Sequence, residues 1–520
     1  MRLIICILTV LVYTNSFAQK QAYEDFWDDE QTQPKSKGEF VNGFENGEWT
    51  FWFPNGKVQE VAEYYRGQLD GQVKRYYQNG QLRHNGYFSE GLQDSIQQSY
   101  YNNGQLMEQG YYKNGRRDST WQYYRKNGNP LMTEHYADGK EKLITYWDKT
   151  GQQTVVDGNG IKLELFNNGK PKVKTTYSNG YIDGTITKWY ATGQKQAEGN
   201  LSGTVENGKW NYWYDNGQLE KSMSYDNGLL QGELLQYYRD GKLNIKGSYS
   251  GGKKDGVWFW YNPNGNPEME GEFKEDVQHG LWKYFDADGK LEIKGEYKDG
   301  VKDGEWKYFY PDGNWLKNGN YVNNQKSGTW QYWHPNGNKA QEGEFLDDKE
   351  TGKWQSWYEN SKQKDIGSFK EGMLHGQWTG YYENGVMHYQ GGWSNNLKDG
   401  TWKTWYPNEK LKETGTYKAG KKTDLWVTYN EFGVATATGK YVDDEMHGKW
   451  EFLYPNGSLL RTQTYNNGEL NGKSTTYHNN QQEDVVCSYK DGKLHGSWKK
   501  YDKKGTLQLE KTFENGKAVK

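Results

Sequence analysis

Rings and glycines recur along this chain at a fixed step among polar residues. Gly304-Glu305-Trp306 becomes Gly328-Thr329-Trp330, and Tyr310-Pro311-Asp312-Gly313 becomes His334-Pro335-Asn336-Gly337, each 24 residues on. With the turn glycine as anchor, the same step links Gly56, Gly80, Gly104 and Gly128. It then runs without insertion from Gly169 to Gly505, with Ser361, Glu409 and Gln481 holding three of the slots. A period that strict gives every unit an equivalent place in a stack.

Within a unit, Gly-x-Trp and two or three more rings precede the anchor. A polar segment follows it, then Gly-x-Tyr/Phe, as at Tyr297, Tyr321, Phe345 and Phe369. Aromatic runs of about six residues bounded by Gly, Asn, Asp and Pro read as strands. In Tyr310-Pro311-Asp312-Gly313 the proline suits the second position of a type I turn, and Gly313 takes the left-handed position of a G1 bulge. Each unit is therefore one β-hairpin, and a second connection through Asp299-Gly300 leads into the next. The fold expected is all-β: an elongated solenoid-like antiparallel sheet built from tandem 24-residue β-hairpin repeats. A propeller blade needs four strands, too many for this period, and a parallel β-helix calls for aliphatic ladders without tight Pro-Asn-Gly hairpins.

Composition explains the repetition. The chain has 520 residues, 33% of them apolar, 65 glycines and a mean hydropathy of −1.17, values that lean toward disorder. Against this stand 24 Trp, 44 Tyr and 17 Phe, each able to bury roughly 150–250 Å². One hairpin cannot fold alone, so equivalent rings must cover one another in cross-strand ladders. Trp258, Trp282, Trp306, Trp330, Trp354, Trp378 and Trp402 are the structural ladder expected from the Gly-x-Trp slots.

Residues 1–18 read as a signal peptide: Arg2, an apolar run from Leu3 to Val12, then Ser16-Phe17-Ala18 before cleavage at Gln19. That run is too short to span a bilayer, so the protein is expected to be exported, periplasmic or secreted to the cell surface. Residues 19–36 read as an acidic polar linker, 37–150 as an N-terminal repeat block and 169–517 as a C-terminal one. Between them, 151–168 lacks the Gly-x-Trp signal and reads as a degenerate repeat or a kink.

"GEWKYFYPDGNWLKNGNY" and "GKWNYWYDNGQLEKSMSYDNG" resemble the MORN-repeat variant of the YwqK-type bacterial antitoxin-related proteins, over about 37 to 517. The resemblance implies hairpins laid side by side in a curved sheet, and protein-binding or scaffolding roles.

Catalytic chemistry is not visible. His279, His375, His447 and His495 share the slot before the Gly of Gly-x-Trp, where other units carry Asp255, Asp303 or Asn207. These types share a tolerance of left-handed backbone, which points to turns rather than metal ligands. No phosphate loop, nucleophile elbow or paired-cysteine motif occurs, and Cys487 stands where Gly415 and Gly439 stand in other units. No enzyme activity, cofactor or metal is expected. Lys and Arg total 65 against 68 Asp and Glu, which argues against nucleic acid or strong membrane binding.

The remaining candidate is a second row of rings, four residues before the anchor: Trp189, Trp213, Trp333, Trp357 and Trp405, with Phe309 among them. Each lies three residues from the Gly-x-Trp ring, and an odd separation in a strand puts the two on opposite faces. One ladder builds the core; the other is either buried as well, by curvature of the sheet, or left partly open as a candidate binding surface. The expected function is a scaffold binding a protein partner, either an envelope component or a toxin in an immunity-like role. A glycan stacked on the rings is the alternative.

Overall fold

A computed structural model of the protein describes residues 19–519; the segment read as a signal peptide lies outside them. The described residues form no helix, and their 47 strands belong to one antiparallel sheet in which consecutive strands pair. This is the all-β hairpin-repeat architecture that the 24-residue period predicts.

One unit shows how the sequence builds it. The strand Gln325–Trp333 pairs with Lys339–Leu346, placing Trp330 opposite Gly343, and Lys339–Leu346 pairs in turn with Lys349–Trp357. Between the first two, the Gly337 N–H donates to the His334 carbonyl at 2.9 Å and the His334 N–H to the Asn338 carbonyl at 2.8 Å. Gly337 sits at φ 84°, so the loop is the type I turn with a G1 bulge expected from its residues. The second connection is just as tight. Asp347 and Asp348, at φ 50° and 64°, form a two-residue loop between the pair Leu346 and Lys349. Two successive positive φ values make a type I′ turn, whose twist matches that of the strands. The strand Lys339–Leu346 is therefore a hairpin partner of both its neighbours.

The Gly-x-Tyr/Phe glycine is explained by what lies above it. A Cβ built on Gly343 would stand 2.0 Å from the Trp354 ring of the next unit, and the same holds within 2.2 Å at Gly271, Gly319, Gly367 and Gly415 under their tryptophans. Each indole Nε1 donates to the carbonyl one residue past that glycine, as Trp330 does to Asn320 at 3.1 Å. At three places where the tryptophan is replaced, the position beneath it changes too, whereas Gly86 is kept beneath Gln97. Ala62 lies with Val73, Met223 with Leu234 and Gln463 with Ser474, each pair at the same separation of 11 residues. Volume is traded across the pair, as close packing requires.

Turn residues also bind one unit to the next. The Tyr310 hydroxyl donates to the Trp333 carbonyl at 3.0 Å and Tyr358 to Tyr381 at 2.8 Å, each 23 residues on. Asn336 uses both ends of its amide. Its Oδ1 accepts from the Asn338 N–H at 3.0 Å, closing its own turn, and its Nδ2 donates to the Glu359 carbonyl at 2.9 Å. The Tyr-x-Asn-Gly motif is thus a junction as well as a turn.

By internal contact the chain divides into a unit reaching Leu243, with Tyr249–Gly252, and a unit of Asn244–Ser248 with the residues from Lys253 on. In the second unit the rings from Trp258 through Phe273, Trp282 and Tyr297 to Trp378 alternate edge to face, with centroids 5.2–6.1 Å apart. All seven ladder tryptophans are 9% exposed or less. Lysine stems close the ladder from outside, Lys326 Nζ lying 4.7 Å from the Trp330 ring and Lys398 Nζ 4.2 Å from Trp402. A single sheet thus buries tryptophan without a second layer.

The first unit departs from expectation at its start. Residues 20–26, read as linker, form a strand paired with Pro34–Val41, and Tyr23 stands opposite Gly38 as a Gly-x-Trp tryptophan would. Its acidic, polar look reflects an exposed outer strand. At 151–168 the hairpin survives with one strand cut to Gln153–Val156. Past that short strand the Leu143 N–H reaches the Gly180 carbonyl at 3.0 Å, and the Gly180 N–H reaches Gly158 at 2.9 Å. The contact boundary near 243–253 falls elsewhere, so this degenerate repeat lies inside one unit.

Because the two strands of a hairpin carry different slots, whole units are removable and half-units are not. Deleting Gly304–Ser327, which removes Trp306 and Trp315, should leave a folded protein whose near-UV signal per remaining tryptophan is unchanged. Deleting about 12 residues reverses every later strand and should give aggregation. Equal tolerance of both would refute the register.

Candidate functional site: a half-buried ring stripe

The second ring row arises from the turn that the sequence specifies. The G1 bulge shifts the register by one residue after Tyr332, so Trp333 stands opposite Lys339 rather than continuing the pairing of the ladder strand. Trp330 and Tyr332 share one face, at a centroid distance of 6.3 Å; Trp333 lies on the other. Trp189, Trp213, Trp333, Trp357 and Trp405 are all half-buried, as is Phe309.

These rings do not form a ladder like the first. Trp333 is joined to Phe309 through Trp315, at 5.2 and 6.0 Å, and Trp315 is 39% exposed. Among the described residues no ring contact links Trp333 to Trp357, or Trp189 to Trp213. The gaps are filled by residues two after each anchor. Lys195 Nζ lies 5.5 Å from the Trp213 ring, and Lys339 Nζ 5.7 Å from Trp357. Trp405 lines an open cleft with Tyr381, Val386 and Met387. Such a row of rings and aliphatic stems can take an apolar or aromatic partner group, with ammonium groups at its margin.

In the first unit the same face carries a polar row. Asn85 donates to Gln98 at 3.3 Å, Gln98 to Gln109 at 3.2 Å and Gln109 to Gln122 at 2.6 Å. Tyr100 and Tyr124, in the stripe's slots, each donate to this amide row at 3.0 Å. Sequence reading passed over it because its members look like ordinary surface glutamines; their 24-residue recurrence was the available signal.

A buried polar cluster was missed as well. Glu134 fills a ladder-glycine slot opposite Leu143, in a repeat without the tryptophan, and it is 9% exposed. Tyr123 and Tyr136 donate to its carboxylate at 2.9 and 2.8 Å, and Arg117, 4.1 Å from the Trp121 ring, holds Glu108 at 3.3 Å. The absence of Gly-x-Trp in this stretch was its visible trace.

The other chemistry is sparse. Cys487 is buried beside Ser474, and burial pushes its thiol up, against nucleophilic use. His279, His375 and His447 lie in the ladder opposite Glu272, Ser368 and Lys440. Among the described residues no group of three His, Cys, Asp or Glu could hold a metal ion.

Thirteen segments of the chain match the model of the MORN repeat variant, from 45–64 through 302–323 and 326–347 to 494–515, together more than half its length. The chain belongs to the MORN repeat variant family. In these MORN repeats the Gly-x-Trp strand and the glycine strand beneath it recur as described above. No curated protein matches the chain. Among solved structures it is similar to a chain of the TcdB2-TccC3-Cdc42 crystal structure, at 11% identity over 93% of this chain and 30% of that one, with a TM-score of 0.13. A chain of the Photorhabdus luminescens Tc holotoxin pore gives 11% identity over 95% and 32%, at 0.13. The MORN chain spans about a third of the length of those chains, and at such scores the likeness carries no argument.

Proposed function

We propose that this chain is an exported, non-enzymatic scaffold that binds a protein partner along the ring stripe. The observation that carries the reading is the second row of rings. The core is already complete on the other face, yet Trp333, Trp357 and Trp405 stay half-exposed, Trp333 beside the open Trp315 ring. Half-exposed tryptophans in shallow clefts are the residues on which protein interfaces concentrate binding energy. The signal-peptide reading directs the partner to the envelope. The resemblance to YwqK-type antitoxin-related repeats favours an immunity-like role, with a toxin or an envelope component as the partner.

A cell-surface glycan is the second reading, favoured by the open Trp315 ring beside Trp333, a surface on which a sugar could stack. Replacing Trp333, Trp357 and Trp405 together by Ala tests both. Retention of envelope proteins on the immobilised chain should fall on the order of a thousandfold, with the melting transition nearly unchanged. A soluble glycan panel run in parallel assigns the partner class. If the triple variant unfolds instead, these rings belong to the core and the reading fails.

A further inference from the structure

The Trp-ladder face carries a charge pattern that two stretches of the second unit treat differently. Lys398, Glu413 and Lys422 occupy the same repeat slots as Lys302, Lys317 and Lys326, each exactly four repeats earlier at 96 residues. In the later stretch the lysines cap tryptophans, Lys398 Nζ at 4.2 Å from Trp402 and Lys422 Nζ at 4.1 Å from Trp426. Glu413 lies between Thr404 and Thr428 on the neighbouring strands, 3.8 Å from Lys422 Nζ. Its carboxylate offsets the two ammonium groups.

The earlier stretch keeps both caps and inverts the centre. Lys302 Nζ lies 4.3 Å from the Trp306 ring, and Lys326 Nζ 4.7 Å from Trp330. Between them Lys317 stands across from Tyr308 and Tyr332, its Nζ 4.4 Å from the Tyr308 ring. Three ammonium groups thus share a patch with no carboxylate paired to any of them among the described residues. The next acid on this face, Glu350, belongs to the following unit and acts on Tyr332. Hydroxyl groups line the patch: Tyr308 and Tyr321 approach to 3.5 Å, and Tyr332 lies 3.5 Å from Lys326 Nζ. Burial holds the Lys302 and Lys317 ammoniums below their usual range, and at Lys317 the two neighbouring lysines add to it.

We propose that Lys302, Lys317 and Lys326 form a recognition site for an acidic protein segment, whose Asp or Glu carboxylates supply the charge that Glu413 supplies four repeats later. A peptide is favoured over an acidic glycan because Trp306 and Trp330 are 2% and 0% exposed, leaving no tryptophan face for a sugar to stack on. The site lies on the face opposite the ring stripe and does not depend on the reading given above.

The test is fluorescence anisotropy of a labelled hexaglutamate peptide with the full chain at low ionic strength, where such pairs are least screened. Lys317→Glu restores the pattern of the later stretch, so it should fold normally and weaken binding at least tenfold. Glu413→Lys should strengthen it. Lys353→Glu, on the other face, should leave the affinity within about twofold. Equal binding by wild type and Lys317→Glu would overturn the proposal. So would an equal loss in the Lys353→Glu control, or capture of oligogalacturonate in preference to hexaglutamate.

Discussion

Replacing Gly343 by alanine should unseat Trp354 and open the sheet locally. The new methyl would stand 2.0 Å from the indole Cδ2 and 2.2 Å from Cε2, inside the body of a ring that is only 4% exposed. Neither partner can yield. The glycine is held in the ladder opposite Trp330, and the indole is pinned by Nε1 donating to the Glu344 carbonyl at 3.2 Å. The ring must leave, so the cost approaches that of deleting it, about 3–5 kcal/mol. Hydrogen exchange across residues 328–357 should accelerate accordingly, while distant units stay protected, since repeat arrays lose stability locally. Adding Trp354→Val to Gly343→Ala should recover part of the loss, because Ala62 with Val73 packs the same slots with both side chains fully buried. The two changes will then be strongly non-additive. Simple addition would mean that the two slots do not share one volume.

Alkali should unfold the protein in a cooperative step above about pH 10, the ordinary phenol value. Burial, and then the hydrogen bond with its neighbour, pushes Tyr308 and Tyr284 far up, and burial raises Tyr332 to about 12. Tyr389, Tyr417 and Tyr441 shift the same way, again through burial first. A folded value above the unfolded one means that the stability is fully present below the unfolded value and is lost as pH rises past it. Each such phenol costs the fold up to about 1.4 kcal/mol per pH unit in that range, less where solvent screens a half-buried ring. Lys302, Lys317 and Lys398 act in the opposite sense, because burial lowers them and folding gains as they neutralise. They are too few to offset the tyrosines. Phenolate absorbance followed beside near-UV circular dichroism should show many tyrosines ionising only as the tertiary signal collapses. A smooth phenolate titration with the tertiary signal intact would contradict this picture of the core.

The 24-residue period, the hairpin and the turn at His334-Pro335-Asn336-Gly337 were all legible in the sequence, because each rests on local chemistry with few solutions. The two faces were legible from the odd spacing of Trp330 and Trp333. What lay above each glycine was not. Periodicity places Gly343 and Trp354 in recurrent slots but does not say that a bulge tips one across the other. The reach of Tyr310 to the Trp333 carbonyl was hidden for the same reason, since a turn motif reports on its own four residues and not on the next turn. Glu134 escaped because a buried charge looks like a surface charge until Tyr123 and Tyr136 are seen around it. Half-burial of the second row could not be read at all, as it depends on how the side chains between successive rings fill the gaps.

Gly343 belongs to one unit and Trp354 to the next, so the fit between them is made at a boundary rather than within a part. From Trp258 to Trp450 nearly every boundary uses the same two shapes, and a whole unit copied or lost by unequal recombination there leaves all seams matched. Such a chain can change length by genetic accident without repacking. The boundaries at Ala62 with Val73 and Met223 with Leu234 do not share this freedom. A unit moved into either meets the wrong neighbour, and those stretches of the gene can change only when both sides change together.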